Sequence, residues 1–439
     1  MPPEADQPAR AAAEAVARAS YGKLVAFLAA RTRDVAGAED ALSEAFAAAL
    51  LDWPQRGVPA SPEAWLMAVA RNKMIDATRR RQTTEVAVSH LQMMQEEIEA
   101  AAASASEIPD ERLLLMFACA HPAVDPPIRA PMILQTILGF DAATIASAFL
   151  VSPATMGQRL VRAKSKIRQA GIPFRLPERA DLRDRLDAVL GAIYAAFSQG
   201  WSDPGSEPRR RNLAEEGIWL GRLVVSLTPQ EPEALGLLAM MLHAEARRGA
   251  RRNARGEYVP LAEQDPQLWN VPLIEEAESL LFRASRFGET GRYQIEAAVQ
   301  SAHAARRVTG ATDWAAIARL YDVLATIIDS PVVAINRAIA VAEAHGAAAG
   351  LSALDTLADD ARLAEYQPYW AARAGLLARA GEPTAAEQAY ERAIGLESDP
   401  AVRDFLQKRR AELRGLHSSP QIPVSSSAQA DDPVPQAPR

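Results

Sequence analysis

Apolar residues recur every three or four positions along most of this chain, which is the spacing of amphipathic α-helices. In residues 139–171 the pattern predicts a short helix over 142–149, a tight turn at 150–152, and a second helix that ends near Arg168. Ser152 is a favourable N-cap and Pro153 suits the first helical position. The predicted buried positions of the second helix are Met156, Leu160, Val161, Ala163 and Ile167.

The other side of this second helix is basic. From Ser152 to Arg175 there are six basic residues and no acidic one, although the whole chain has a net charge of −7. A helix-turn-helix with a cationic second helix can enter the major groove of DNA, and the local excess of charge favours a polyanionic partner. An ordinary solvated helix pair is the alternative interpretation.

Three further helices are predicted in the first 82 residues. The first starts at Ala11, and a break at 31–34 separates it from a second helix that starts near Asp34 and ends at Trp53-Pro54. The outer face of the second helix is acidic. Ser61-Pro62 is a strong start for the third helix, whose C-terminal end is basic. The chain therefore has an acidic helix face and two separate basic helices.

The remaining pattern predicts an all-α protein of several domains. Residues 83–111 contain seven acidic residues and no Lys or Arg, and we expect a flexible linker there. Residues 178–415 are helical throughout by pattern, with 262–287 predicted as one continuous helix. We expect disorder in residues 1–10 and in the tail 416–439, which is rich in Ser, Pro, Gln and Ala. The predicted segments are a disordered N-terminus (1–10), a first helical module (11–82), a linker (83–111), a second helical module with the helix-turn-helix (112–172), a helical domain (178–329), helical repeats (330–415) and a disordered tail (416–439).

Taken together, these N-terminal motifs resemble bacterial sigma factors of the extracytoplasmic-function group. The resemblance is carried by Ala38-Glu39-Asp40-Ala41, by the Trp65-Leu66 helix with Asn72 and Asp76, and by the helix-turn-helix. It implies a region 2 module over 11–82 and a region 4 module over 112–172, two small helical domains that bind core RNA polymerase (its beta-prime and beta subunits) and promoter DNA.

The resemblance also implies a role for particular residues. The acidic helix would bind polymerase, the third helix would melt and read the minus-ten element, and the helix-turn-helix would read the minus-thirty-five element. For polymerase the implied residues are Asp34, Glu39, Asp40, Glu44 and Phe46. For the minus-ten element they are Trp65, Arg71, Asn72, Lys73, Asp76, Arg79, Arg80 and Arg81. For the minus-thirty-five element they are Ser152, Thr155, Gln158, Arg159, Arg162, Lys164 and Lys166.

The chemistry of these side chains agrees with those roles. Gln158 can pair with adenine and Arg159 with guanine, because both lie in the first turns of the recognition helix. The cations farther along that helix, Arg162, Lys164 and Lys166, are predicted phosphate contacts. Trp65 could stack on an unpaired base, but a core position at the start of its helix is the competing interpretation.

The C-terminal part contains a degenerate repeat. Small and large apolar residues at Ala338, Val341, Gly350, Leu354 and Leu357 recur at a distance of 36 residues, as Ala374, Leu377, Ala386, Tyr390 and Ala393. The pattern resembles the tetratricopeptide repeat (TPR), which commonly offers a concave surface to a protein or peptide. Generic alanine-rich hairpins are the alternative. The extension also resembles that of the TPR-containing subgroup of these sigma factors, which implies that it regulates the sigma module.

Residue types that would indicate an enzyme are missing from the sequence. There is no glycine-rich phosphate loop and no pair of histidines on one helix face, and the single cysteine, Cys119, lies in an apolar helix. We therefore expect no catalytic residues, no metal, no cofactor, no membrane association, and a cytoplasmic location. The leading hypothesis is a sigma factor with a regulatory extension. The alternative is a helix-turn-helix regulator with a repeat scaffold that acts without polymerase.

Overall fold

The computed structural model describes residues 6–81, 111–148, 151–172, 174–175, 177, 179–201 and 208–416. Within these ranges the regular structure is helical, apart from one isolated antiparallel bridge between Arg252 and Tyr258. The all-α prediction is therefore confirmed. The chain divides into two compact units, an N-terminal unit that ends at Ala192 and a C-terminal unit that begins at Ile193.

Helices α1 to α7, and the first part of α8, belong to the N-terminal unit. They are α1 (Asp6–Thr32), α2 (Val35–Arg56), α3 (Pro62–Arg81), α4 (Arg112–Cys119), α5 (Pro126–Leu138), α6 (Ala142–Ala148), α7 (Pro153–Gln169) and α8 (Arg179–Trp201). Helix α1 begins at Asp6 rather than at Ala11, so the expectation of disorder over 1–10 is wrong for residues 6–10. Pro8 falls in the first turn, where a proline removes no intrahelical hydrogen bond. Of the predicted acidic linker, only Glu111 lies inside the described residues.

The helix boundaries of this unit follow from local side-chain chemistry. Asp34 caps α2 by accepting a hydrogen bond from the Gly37 amide at 3.0 Å. The predicted end of α2 at Trp53-Pro54 is wrong, since the helix continues to Arg56 with Pro54 inside it. Gly57 ends the helix instead, because its positive φ of 85° takes the backbone into a conformation that glycine tolerates best.

The core of the N-terminal unit joins its two halves. Helices α1, α2 and α3 contact one another, and α4 and α5 pack against α1. Gly22 of α1 lies so close to the backbone of Ile137 in α5 that a Cβ at this position would clash with the Ile137 carbonyl oxygen. Cys119 is fully buried and lies 3.7 Å from the Thr136 hydroxyl, and burial raises the pKa of Cys119 to about 12. The single cysteine therefore lies in the apolar core of this unit.

The rest of α8 and eleven further helices form the described part of the C-terminal unit. These are α9 (Pro208–Leu227), α10 (Pro232–Ala246), α11 (Val271–Ser285), α12 (Arg292–Ala304), α13 (Arg306–Thr309), α14 (Trp314–Ile327), α15 (Pro331–His345), α16 (Ala347–Asp355), α17 (Gln367–Arg379), α18 (Pro383–Leu396) and α19 (Pro400–Leu416). The prediction of one helix over 262–287 is wrong. Short 3-10 turns at Leu261–Glu263 and Pro266–Leu268 come first, and α11 starts only after the N-cap Asn270.

Helix α10 is the centre of the C-terminal unit, with contacts to α9, α11 and α12. A Cβ added at Gly236 would lie 2.6 Å from the Gln294 amide nitrogen, so glycine allows α12 to approach closely. The Glu233 carboxylate accepts hydrogen bonds from the amides of Tyr293 at 2.9 Å and Gln294 at 3.2 Å. One side chain of α10 thereby accepts hydrogen bonds from amides at the start of α12, which have no acceptor within their own helix.

The repeat positions lie on two successive helix pairs, α15 with α16 and α17 with α18, except Leu357, which follows the end of α16. Ala338 and Ala374 are fully buried on the first helix of each pair, and Ala386 is fully buried on the second helix of the later pair. A Cβ added at Gly350, the counterpart of Ala386, would lie 2.9 Å from the carbonyl oxygen of Ala338. Small residues at these positions therefore let the helices of a pair approach each other.

Candidate nucleic-acid interface

The acidic residues at the start of α2 differ in exposure. Asp34 is the N-cap, with its side chain half-buried, and Glu39 is also half-buried. Asp40 and Glu44 are exposed, and Phe46 is half-buried. Glu44 forms an ion pair with Lys73 of α3 at 3.0 Å, so the acidic helix and the basic helix of the first module meet at this point.

The residues predicted to contact the minus-ten element all lie on α3. Asn72, Lys73 and Asp76 are exposed and Arg71 is half-buried, while Arg79, Arg80 and Arg81 lie in the last turn, where the side chains are outside the described part of the structure. Trp65 is half-buried and makes an edge-to-face contact with Trp53, with 5.6 Å between the ring centroids. The contact is that of a residue at the border of the core, with part of its ring still accessible.

The helix-turn-helix forms as the sequence predicts at its second helix. Ser152 caps α7 by accepting a hydrogen bond from the Thr155 amide at 3.2 Å, and its hydroxyl lies 2.8 Å from the Thr155 hydroxyl. Asp141 accepts a hydrogen bond from the Thr144 amide at 2.8 Å before α6, and this bond lowers the pKa of Asp141. These caps fix the starts of both helices.

One face of α7 is buried and the adjacent face is open. Met156, Leu160, Ala163 and Ile167 are buried as predicted. The prediction for Val161 is wrong, because its side chain is 68 % exposed. Successive residues of a helix point about 100° apart, so Val161 lies next to the row formed by Leu160 and Ile167 and not within it.

The predicted base-reading residues share the open face with Arg162, one of the predicted phosphate contacts. Thr155, Gln158, Arg159 and Arg162 are all exposed. Their spacing of three, four and seven residues places them on one side of the helix. The geometry leaves amide and guanidinium groups near the N-terminal end of α7 accessible to a duplex, as base-edge contacts require.

The other two predicted phosphate contacts, Lys164 and Lys166, form ion pairs with acidic residues of the N-terminal unit. Lys164 forms an ion pair with Glu39 of α2, and Arg168, one turn later, approaches Asp34 at 3.5 Å. Lys166 pairs with Asp125 at 3.2 Å. The structure thus brings together two groups that the sequence assigns to different partners, the acidic face of α2 and the cations of α7. Their opposite charges were the only sequence signal for this contact.

Burial shapes the electrostatics of the contact. The side chains of Lys164 and Glu39 are each only 12 % exposed. Burial raises the pKa of Glu39, and the neighbouring Lys164 partly offsets this by lowering it. One Glu39 oxygen, Oε1, is buried without a hydrogen-bond partner. Burial also raises the pKa of Tyr21, with smaller contributions from the charges of Glu39 and Asp40.

The described part of the chain lacks two other kinds of site. No cluster of three or more His, Cys, Asp or Glu side chains there could hold a metal ion. Among the helices with described residues, none is long and apolar enough to span a bilayer.

Comparisons with known proteins match the N-terminal and middle parts of the chain to two family models. Residues 16–84 match sigma-70 region 2, and residues 185–285 match a family of unknown function, DUF6596. No solved structure matches. The chain is 38 % identical over 389 residues to "Uncharacterized protein R00370" of Rhizobium meliloti (strain 1021), covering 87 % of this chain and 90 % of that protein. The chain therefore belongs to the same family as that Rhizobium meliloti protein, and its N-terminal part is a sigma-70 region 2 domain.

Proposed function

We propose that this protein is a sigma factor of the extracytoplasmic-function group that binds core RNA polymerase in the cytoplasm and directs it to specific promoters. The observation that carries the proposal is the region 2 domain over 16–84, followed in the same compact unit by a helix-turn-helix with an exposed polar and basic reading face. In this role α2 binds polymerase, α3 binds the minus-ten element, and α7 reads the minus-thirty-five element. No covalent chemistry is required of the protein.

We further propose that the C-terminal unit regulates the sigma module. Two successive helix pairs with matching small residues, Gly350 and Ala386, support an assignment as TPR-like repeats with a protein or peptide ligand. The direct test is run-off transcription with purified core polymerase on a promoter library, comparing the full chain with residues 1–192, which retain the compact N-terminal unit. We expect promoter-specific transcripts from the full chain and altered output or control from the fragment. Identical behaviour of the two proteins in vitro and in cells would exclude a regulatory C-terminal unit.

A second candidate function is a helix-turn-helix regulator that binds duplex DNA without polymerase. The observation that favours it is the exposure of Gln158 and Arg159 while part of the acidic face of α2 is in contact with α7. The two functions differ in whether the exposed acids of α2 contact polymerase.

Charge reversal separates the candidates. We expect the double variant Asp40→Arg, Glu44→Arg to lose about 30-fold in affinity for core polymerase, roughly 2 kcal/mol, because like charges would face each other in the complex. Duplex binding should be unchanged. The matched control is Glu275→Arg, Asp359→Arg, which reverses two exposed acids of the C-terminal unit. If the wild-type protein does not bind core polymerase but still binds duplex DNA, the regulator is established instead.

A further inference from the structure

Helix α11 of the C-terminal unit packs on the fold with one face and leaves the opposite face open. It contacts α10 and α12, and its buried positions are Ala277, Leu280 and Ala284. Successive residues of a helix are rotated by about 100°, which places a second row of residues on the far side of α11. The residues of this row, all of them exposed, are Glu275, Ser279, Phe282 and Arg286.

The middle of this open row combines a large apolar side chain with a small one. Phe282 is 67 % exposed, so most of its ring is in contact with solvent. Ser279 lies three residues before it, on the same side of the helix. Aromatic and arginine side chains are enriched at the centres of protein interfaces, where they are covered by a partner. The open face of α11 therefore has the composition of a contact surface.

The two charged residues of the row are not used by the fold. Glu276, the neighbour of Glu275, forms an ion pair with Arg222 of α9 at 2.7 Å, and this pair ties α11 to the rest of its unit. Among the residues that the structure describes, none forms an ion pair or a side-chain hydrogen bond with Glu275 or Arg286. Arg286 directly follows α11 and keeps helical backbone angles, so it extends the row. Both charges are available to a partner.

The row has the same spacing in both directions along the helix. The steps from Glu275 to Ser279, to Phe282 and to Arg286 are four, three and four residues. A second α11 that lies antiparallel on the first, about a two-fold axis at the midpoint of the row, places its Arg286 opposite Glu275 and its Phe282 opposite Ser279. Opposite charges then meet at both ends, and a large side chain meets a small one in the middle. The face is complementary to itself.

We propose that the open face of α11 is a homodimer interface, on which a second copy of the chain packs its own α11 in the antiparallel direction. Two ion pairs between Glu275 and Arg286 flank a centre that is formed by both Phe282 rings. The antiparallel arrangement also sets opposite helix dipoles side by side. Because single helices make the contact, we expect a weak dimer whose population depends on protein concentration. The inference does not depend on the proposed sigma function.

The first test measures self-association of the full chain by sedimentation equilibrium over about 1–100 μM, the range of weak complexes. We expect a reversible equilibrium between monomer and dimer. Phe282→Ala should raise the dissociation constant at least about tenfold, because each dimer loses two central rings. The control Val308→Ala shortens a side chain that is 84 % exposed elsewhere in the unit, and it should leave the constant unchanged. A wild-type protein that is monomeric over the whole range would overturn the proposal, as would equal constants for wild type and Phe282→Ala.

The second test reverses the charges at the ends of the row. Glu275→Arg and Arg286→Glu should each raise the dissociation constant about 30-fold, because two attractive pairs per dimer become repulsive. An equimolar mixture of these two variants should form a heterodimer, since each copy then carries the charges that the other needs. The variant with both changes should dimerise like the wild type. The control Arg319→Glu reverses an exposed cation of α14 and should not affect dimerisation.

Recovery of the dimer decides between the proposed pairing and any other kind of self-association. If neither the mixture nor the variant with both changes dimerises, the antiparallel contact of α11 is refuted. Polymerase binding is a separate property, so Glu275→Arg, Asp359→Arg should lose the dimer and keep its affinity for core polymerase. A wild-type protein that dimerises through α11 but does not bind core would contradict the sigma function and leave this inference standing.

Discussion

The two compact units use their charged side chains differently. In the C-terminal unit arginines are tied into the scaffold: Arg292 pairs with Glu296 at 2.8 Å and lies over the rings of Tyr194 and Tyr293. In the N-terminal unit Arg159 and Arg162 of α7 lie exposed on a helix face. Charge in the first case stabilises a fold, and in the second it is available to a partner. Substitution of Arg292 should therefore change stability, and substitution of Arg159 or Arg162 should change binding.

The largest expected effect is on the stability of the C-terminal unit. We expect Gly236→Val to lower the free energy of unfolding by about 3 kcal/mol or more, because the new side chain meets the backbone of α12 rather than a movable side chain. Denaturant unfolding of the full chain measures this loss. The control Gly249→Ala adds a Cβ where no atom lies within 4 Å, and it should change stability little. A similar, small change in both variants would refute the close packing of α10 on α12.

The next effect is on DNA specificity in the N-terminal unit. Arg159→Ala should relax discrimination among minus-thirty-five variants by about 1–3 kcal/mol, the contribution of a bidentate contact with guanine. Binding of the holoenzyme to a set of single-base promoter variants measures it, with thermal unfolding as the control for stability. Unaltered discrimination at every position would rule out base reading by Arg159.

The smallest expected effect separates base-specific contacts from contacts with the DNA phosphates. We expect Arg162→Ala to weaken binding to all duplex sequences about equally and to reduce the slope of log affinity against log salt by about 0.9, since one phosphate contact is lost. Titrations at several salt concentrations on cognate and scrambled duplexes measure this. A loss confined to the cognate duplex would instead assign Arg162 to a base.

Local chemistry was sufficient to predict many features of the fold. The caps Asp34 and Ser152 give the starts of α2 and α7, and the three-to-four spacing gives the buried face of α7 apart from Val161. These features depend on residues within one or two turns of each other. The end of α2 differs from the prediction because Pro54 is tolerated inside the helix and Gly57 provides the stop.

Contacts between distant residues could not be predicted in the same way. Lys164 and Glu39 are 125 positions apart, and Arg31 and Glu111 are 80 apart. Opposite charges on two helices show that a pair is allowed, but only the packing of α4 and α5 on α1 brings α7 to α2. Exposure of the reading face followed from helical periodicity, whereas the division of the α7 cations depended on tertiary structure.

Asp34 has two structural roles, and this restricts how the binding surface around it can evolve. Its carboxylate caps α2 and also faces Arg168, so replacement by a basic residue would first cost the helix about 1 kcal/mol at its start. Asp40 and Glu44, which are exposed and cap nothing in the described structure, can change without that penalty. A lineage that adapts this surface to an altered partner therefore has an easier route through Asp40 and Glu44, one substitution at a time, than through Asp34.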